Sequence, residues 1–348
     1  QRLLYRAMPG IEPQPGGLDG AMEHLTDPER DRAPVVHLIA LGPLLAKAET
    51  AREADNLALE TGRRLAFLVH QGGQVIWTLR APPEGPWPEA ERALGKAVAA
   101  LRGPIHLHCE SLIAPLAQAW GIDLPSERVL VTPPGGTVGY YPDYATRAAA
   151  RTKLGLSEDA PLFLLFGRLG EGKDIDAAVT AFGALHAAHP EAHLLILGNT
   201  APGERRGRIR RRFDGLPHVR VIETHTADNS LQWFLRAADW AVMPYREGHT
   251  PEALMTVMSF GLPVIAPDRD VISRLVPGDA GLLYDPDTQD GLEQSLFQAM
   301  AVDQDTTCTM GDTARAAMAG RRWQPTAEAL LPLLEKRLTG QAVTLDFE

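Results

Sequence analysis

The stretch from Pro161 to Phe182, PLFLLFGRLGEGKDIDAAVTAF, limits what this chain can fold into more than any other. Leu162 to Phe166 is an unbroken apolar run of strand length, closed by Gly167. Gly170 and Gly172 then turn the chain into an amphipathic pattern at Ile175, Ala178, Val179, Phe182 and Leu185. A strand apolar on both faces belongs inside a parallel sheet covered by helices. Arg168 and Lys173 sit in the intervening loop, five positions apart, at the carboxyl edge where open α/β sheets place their ligands. Two cations there suit a diphosphate, although the same residues taken alone also fit solvated loop charges.

The same alternation runs through the chain. Residues 3 to 8 read as a first strand, followed by a Pro- and Gly-rich loop to Gly17 and a short helix through Met22 and Leu25. Strands are expected at 35–41, 74–80, 104–110 and 128–135, with helices near 44–68, 88–102 and 111–120. PPGGTVGYYPDYATR, Pro133 to Arg147, has neither helical nor strand period and reads as an interdomain linker. Beyond it, strands are expected at 162–166, 193–197, 219–222, 240–243, 263–266 and 281–284. With 348 residues, the pattern predicts two domains, 1–147 and 148–320, and a helical tail over 321–348 that carries Pro332.

Composition narrows the function classes. A formal net charge of -10 argues against nucleic acid as a partner, because binding to it rests on neutralised phosphates. No apolar run reaches the roughly 20 residues of a membrane span and no leader pattern precedes Leu3, so a cytoplasmic protein is expected. Cys109 and Cys308 stand far apart and suggest neither a disulfide framework nor a zinc site. Six arginines between Arg205 and Arg212 oppose the overall charge. They fit either a solvated helix face or peripheral contact with an anionic membrane.

Further residues carry chemistry by type and position. Thr250 is a good N-cap, Pro251 fits the first helical position and Gly261 ends the helix, so the amides of Gly248, His249 and Thr250 are placed to face an anion. His106 and His108 share a strand face, but no third ligand stands at fixed spacing, and no metal is expected. His108 and Glu110 at a strand end are candidates for a base or an acceptor contact. Gly17 opens a helix where a ligand can approach backbone.

Five segments in order, from the Gly167 loop through HLLILGN, AADWAVMPYREG, MSFGLPVIAP and GLLYDP, resemble the donor-binding half of GT-B glycosyltransferases of family 4. The resemblance implies two Rossmann-like domains facing across a cleft, with a kinked last helix crossing back to the first. It implies a nucleotide-sugar-dependent transferase in which Arg168 and Lys173 hold the diphosphate and Glu247 orients the sugar. Gly167, Gly198, Asn199, Thr224, His225, Gly248, His249 and Thr250 complete the implied donor site, with catalysis assigned to Glu247, Arg168, Lys173 and His108. Gly17, Arg80, His108 and Glu110 fall on the acceptor side. The partners implied are a nucleotide sugar and a glycan, lipid-linked or small-molecule acceptor, with no cofactor and no metal. Two departures stand out: the family's second glutamate, on the ribose, falls at Thr256 here, and a family histidine position is Arg80. A sugar-nucleotide epimerase or a phosphorylase on the same fold is the alternative reading, and the missing second glutamate also keeps open a binder without turnover.

Overall fold

The structure is a computed structural model that describes residues 2–8, 17–27, 33–83, 86–170, 172–200, 207–213, 215–224, 226–246 and 252–338. Two compact units emerge, one of residues 1–135 with 323–348 and one of residues 136–322.

The first unit holds a four-stranded parallel sheet in the order β1 (Val35–Leu38), β2 (Gln74–Thr78), β3 (Ile105–Leu107), β4 (Val129–Val131). Helices Ala51–His70, Pro88–Ala100 and Ile113–Trp120 connect the strands, as βαβ crossovers require. The Ala51–His70 helix starts on a Thr50 cap, whose hydroxyl accepts from the Glu53 amide. It buries Ala54, Ala58, Leu65 and Leu68 along one stripe. The strand expected at 3–8 is instead a helix, Arg2–Arg6. Leu4 in this helix and Met8, two residues past its end, bury against Ile76 and against Ala327, Leu330 and Leu333 of the terminal helix Gln324–Leu338. That helix therefore belongs to the core of the first unit, with Pro332 inside it.

The second unit has a six-stranded parallel sheet in the order β10-β9-β8-β5-β6-β7. Its strands are β5 (Leu162–Phe166), β6 (His193–Gly198), β7 (Val219–Glu223), β8 (Trp240–Val242), β9 (Val264–Pro267) and β10 (Gly281–Tyr284). Apolar clusters cover both faces, one built on Leu164, Leu197, Met243 and Met258, the other on Phe163, Ile196, Phe182 and Leu296. Residues 136–147, expected to link the domains, fold into this second unit. Asp143 accepts from Arg236 at 2.6 and 2.7 Å and from Arg315 at 2.9 Å, and the Tyr144 and Ala145 amides both donate to the buried Gln232 at 2.9 Å. These charges sit too far apart in sequence for local pattern to reveal. The Arg147–Leu154 helix is pinned the same way: Arg151, 1 % exposed, donates to the carbonyls of Ser157, Ala160 and Ala237 and pairs with Asp239.

Candidate functional site

In the second sheet, chain order runs outward from β5 in both directions, through β6 and β7 on one side and through β8, β9 and β10 on the other. The crevice at the carboxyl ends of β5 and β8 is thus the topological switch point, the place where such sheets bind ligands. The loop that opens the chain's most constraining stretch lies there. Gly167 follows β5 with φ 114°, and a Cβ on it would stand 2.6 Å from Lys173 Nζ and 2.7 Å from the Ala253 Cβ. A Cβ on Gly198, the last residue of β6, would meet the Gly167 carbonyl oxygen at 1.6 Å. Only glycine at both positions lets the two strand ends touch.

The loop is tied on both flanks. The Leu169 amide donates to the Asn199 carbonyl at 2.7 Å beside a bridge from Leu169 to Thr200. On the β8 side Lys173 bridges Tyr245, the Asp174 amide donates to Pro244 O at 2.8 Å, and the Arg246 amide donates to Gly172 O at 3.1 Å. Asp174 also caps the following helix, Ile175–Ala188, through the Ala177 amide.

Lys173 is the buried one, 7 % exposed. Its ammonium donates to the Phe166 carbonyl and lies 5.3 Å from the centroid of the Tyr245 ring. The Tyr245 hydroxyl accepts the Leu254 amide at 3.2 Å, which fixes the ring beneath it. Burial lowers the Lys173 pKa to about 7, and the exposed Arg168 nearby pushes it the same way. Among the described residues no carboxylate pairs with this cation. A buried charge without a counter-ion is costly, and a phosphate group that enters the crevice removes that cost.

The remaining donor-side expectations divide. Asn199 and Thr224 are exposed at the ends of β6 and β7, on the same carboxyl edge. His225, Glu247, Gly248, His249 and Thr250 lie outside the described residues. The helix Glu252–Ser259 ends at Gly261, whose φ of 76° fits a left-handed helix stop. Thr256 is 7 % exposed and its hydroxyl donates to Glu252 O one turn back at 3.2 Å. The proton expected to face a ribose is therefore spent on the helix itself.

In the first unit, His108 and Arg80 lie just past the carboxyl ends of β3 and β2, and both act electrostatically on His37 of β1. Arg80 is half-buried and its Nε donates to Ile39 O at 3.4 Å. His108 Nδ1 donates to the Thr132 carbonyl at 3.2 Å, and its ring meets His106 and Trp323 edge-on at 4.7 and 6.4 Å. Glu110 is exposed at the start of the short turn Glu110–Leu112, and Gly17 begins the helix Gly17–Thr26 with φ 55°. Sequence reasoning missed Tyr245, whose aromatic ring follows a strand without any periodic mark. It also missed His37, Thr78, Thr132 and Thr326; for the first three the signal available was a polar residue inside or at the end of an apolar strand, and Thr326 lies in the terminal helix.

Residues 160–301 match the family described as "Glycosyl transferases group 1". The D-inositol 3-phosphate glycosyltransferase of Nocardia farcinica is 31% identical over 62% of this chain and 49% of its own length. The chain spans about half the length of the curated relatives it matches first. Among solved structures, sucrose-phosphate synthase from Thermosynechococcus elongatus superposes with a TM-score of 0.65 at 22% identity, over 88% of this chain and 74% of that one. HepE from Anabaena, solved in complex with UDP and glucose, gives 0.62 at 16% identity over 93% and 97%. At these identities the likeness establishes the fold, which is GT-B.

Proposed function

We propose that this chain, whose residues 160–301 match the group 1 glycosyl transferases, moves a sugar from a nucleoside diphosphate sugar to a hydroxyl of a glycan, glycolipid or small-molecule acceptor. The observation that carries the reading is Lys173, buried without a carboxylate partner among the described residues, at the switch point of the second sheet. HepE of the same fold was solved with UDP and glucose bound, which supports a nucleotide sugar as donor.

In this reading the bond from the sugar C1 to the diphosphate oxygen breaks, and the diphosphate leaves with the electron pair. The acceptor oxygen bonds C1 and gives up its proton. Negative charge develops on the leaving diphosphate, where this reading assigns Lys173 and Arg168 to stabilise it; cations held in advance at such a position lower a barrier. Two cations supply this stabilisation from the chain itself, so the reading requires neither a metal nor another cofactor. The family resemblance gives Glu247 the sugar hydroxyls. On the acceptor side, the neutral His108 ring carries its lone pair on Nε2, because Nδ1 donates to Thr132 O. That nitrogen suits a proton acceptor.

A peripheral contact with an anionic membrane is the second part of the proposal. The helix Arg208–Phe213 buries Ile209 and Phe213 and exposes Arg208, Arg210, Arg211 and Arg212. Glu223 anchors its start, accepting from the Gly207 and Arg210 amides at 2.9 and 3.1 Å. Among the described residues, no helix is long and apolar enough to cross a membrane.

A panel of nucleotide sugars incubated with and without acceptors tests the activity. Acceptor-dependent release of nucleoside diphosphate with a glycosylated product supports transfer. Epimerised sugar without acceptor, strict dependence on phosphate, or binding with no product across the panel each rejects it.

A further inference from the structure

One polar chain crosses the whole first sheet and ends in the terminal helix. Tyr5 Oη lies 2.7 Å from His37 Nδ1, and His37 Nε2 lies 2.6 Å from Thr78 Oγ1. Thr78 Oγ1 lies 3.1 Å from His106 Nδ1, and His106 Nε2 lies 2.7 Å from Thr132 Oγ1. Thr132 Oγ1 donates to Thr326 Oγ1 at 3.0 Å, and Thr326 Oγ1 donates to the Pro133 carbonyl at 3.2 Å. The residues come from the helix Arg2–Arg6, β1, β2, β3, the end of β4 and the helix Gln324–Leu338. His106, Thr78, Thr132 and Thr326 are buried, with Thr326 at 0 % exposure.

The direction of this chain is determined by its last member. A carbonyl only accepts, so Thr326 must give its single proton to Pro133 O and must accept from Thr132. Thr132 has then spent its own proton, and His106 must donate from Nε2. Its Nδ1 is left to accept from Thr78. By the same step Thr78 accepts from His37 Nε2–H, and His37 Nδ1 accepts from Tyr5. Every hydroxyl proton is used once and both rings are neutral, in the Nε2–H form. A reversal at any one link leaves two donors or two lone pairs facing each other in a buried site, so the order of all links is cooperative.

Thr132 belongs to this chain through its hydroxyl and holds His108 through its carbonyl. Trp323, the residue just before the terminal helix, supplies the second wall of the His108 ring. We infer that Thr326 is a positioning residue: by fixing Thr132, it sets the tautomer and orientation of His108 from the far end of the chain's sequence. The consequence for turnover rests on the transferase reading, in which His108 faces the acceptor. The positioning itself does not. Burial disfavours a proton on either ring of the relay, and the nearby Arg80 charge acts the same way on His37, which keeps the direction fixed at neutral pH.

The test is histidine-selective ¹⁵N labelling of the full chain, with long-range ¹H–¹⁵N spectra at pH 7.5 for the unaltered protein, Thr326→Val and Thr326→Ser. The unaltered protein shows His37 and His106 as Nε2–H and His108 as a donor at Nδ1. Thr326→Val, with its fold confirmed by circular dichroism, shifts the His106 and His108 patterns towards mixed tautomers, and Thr326→Ser restores them. Turnover in Thr326→Val falls about tenfold with the donor KM within twofold, and serine rescues it. An unaltered protein with His106 as Nδ1–H, or a folded Thr326→Val with an unchanged His108 pattern, overturns the inference. If Thr326→Val does not fold, Thr326→Ala is read against the same criteria. No product from the unaltered protein, with the tautomers as stated, rejects the transferase reading and leaves the positioning intact.

Discussion

The Lys173 ammonium lies 5.3 Å above the Tyr245 ring and donates a hydrogen bond to the Phe166 carbonyl, and among the described residues no carboxylate pairs with it. A ring face and one carbonyl compensate a buried ammonium only in part. Replacing Lys173 by Met keeps the length of the side chain and removes the charge. The variant is expected to be at least as stable as the parent at pH 7 by thermal unfolding, while turnover with the preferred nucleotide sugar falls by a factor of a hundred or more. Equal turnover in a folded variant would remove Lys173 from the site.

The depressed Lys173 pKa also predicts a pH dependence. The folded state releases this proton near pH 7, whereas the unfolded chain holds it to its ordinary value of 10.5. Stability from this group is therefore complete above about pH 10.5 and is lost as pH falls towards 7. Binding runs the other way: a diphosphate favours the charged ammonium, so donor Kd rises with pH above 7, by up to about tenfold per unit. Calorimetry in buffers of different ionisation enthalpy should detect proton uptake on binding near pH 8; zero uptake would place the ammonium charge elsewhere.

The two glycines at the strand ends respond differently from surface glycines. Gly198→Ala drives a methyl into the Gly167 carbonyl, an atom of backbone that cannot rotate aside. The expected loss is several kcal/mol, at the far end of the range for single substitutions. Gly155→Ala provides the contrast: the position has φ 70° and open space around it, so only backbone strain of about 1 kcal/mol applies. Urea unfolding of the pair separates the two, and equal effects would contradict the close approach of β5 and β6.

His37 and His106 make the first unit sensitive to acid. Burial lowers their pKa values to about 4 and about 2, with neighbouring charges in the same direction. The unfolded chain takes up these protons below about pH 6.5 while the folded chain does not. Stability is full above that pH and falls as pH drops, by about 1.4 kcal/mol per unit for each ring. Unfolding midpoints between pH 7.5 and 5 measure the slope, and a flat profile would show that at least one ring is charged in the folded protein.

Much of this architecture is legible in the sequence because the strands of the second unit are apolar on both faces, and runs such as LFLLF and HLLILG admit few alternatives. The switch-point loop is legible for the same reason: Gly167 must end the strand, and Arg168 and Lys173 follow at once. What local pattern does not reveal depends on partners distant in the chain. Residues 3–8 contain enough apolar side chains for a strand, yet the chain is helical over Arg2–Arg6 and packs Leu4 and Met8 on the terminal helix, a partner far along the sequence. Thr256 occupies the position of a ribose contact in the sequence, yet its hydroxyl turns back to Glu252 O. Thr132 and Thr326 are 194 positions apart and meet at 3.0 Å.

The arginine-rich helix predicts salt-dependent membrane contact. Each exposed arginine near an anionic surface contributes about 1 kcal/mol, so the four of Arg208–Phe213 give weak association. Co-sedimentation with phosphatidylserine-containing vesicles should be measurable at 20 mM salt and lost at 500 mM, as expected for screened charges. Binding retained after Arg208, Arg210, Arg211 and Arg212 are changed to Ser would dismiss this surface.

The most direct measurement of the central claim is calorimetric titration of the protein with a nucleoside, its monophosphate and its diphosphate, repeated on Lys173→Met. The account predicts that affinity rises with each phosphate, that the diphosphate binds at least tenfold more tightly than the monophosphate, and that Lys173→Met loses most of that difference while it keeps its fold. Nucleoside and diphosphate binding equally well, or a diphosphate affinity that survives Lys173→Met unchanged, would contradict it.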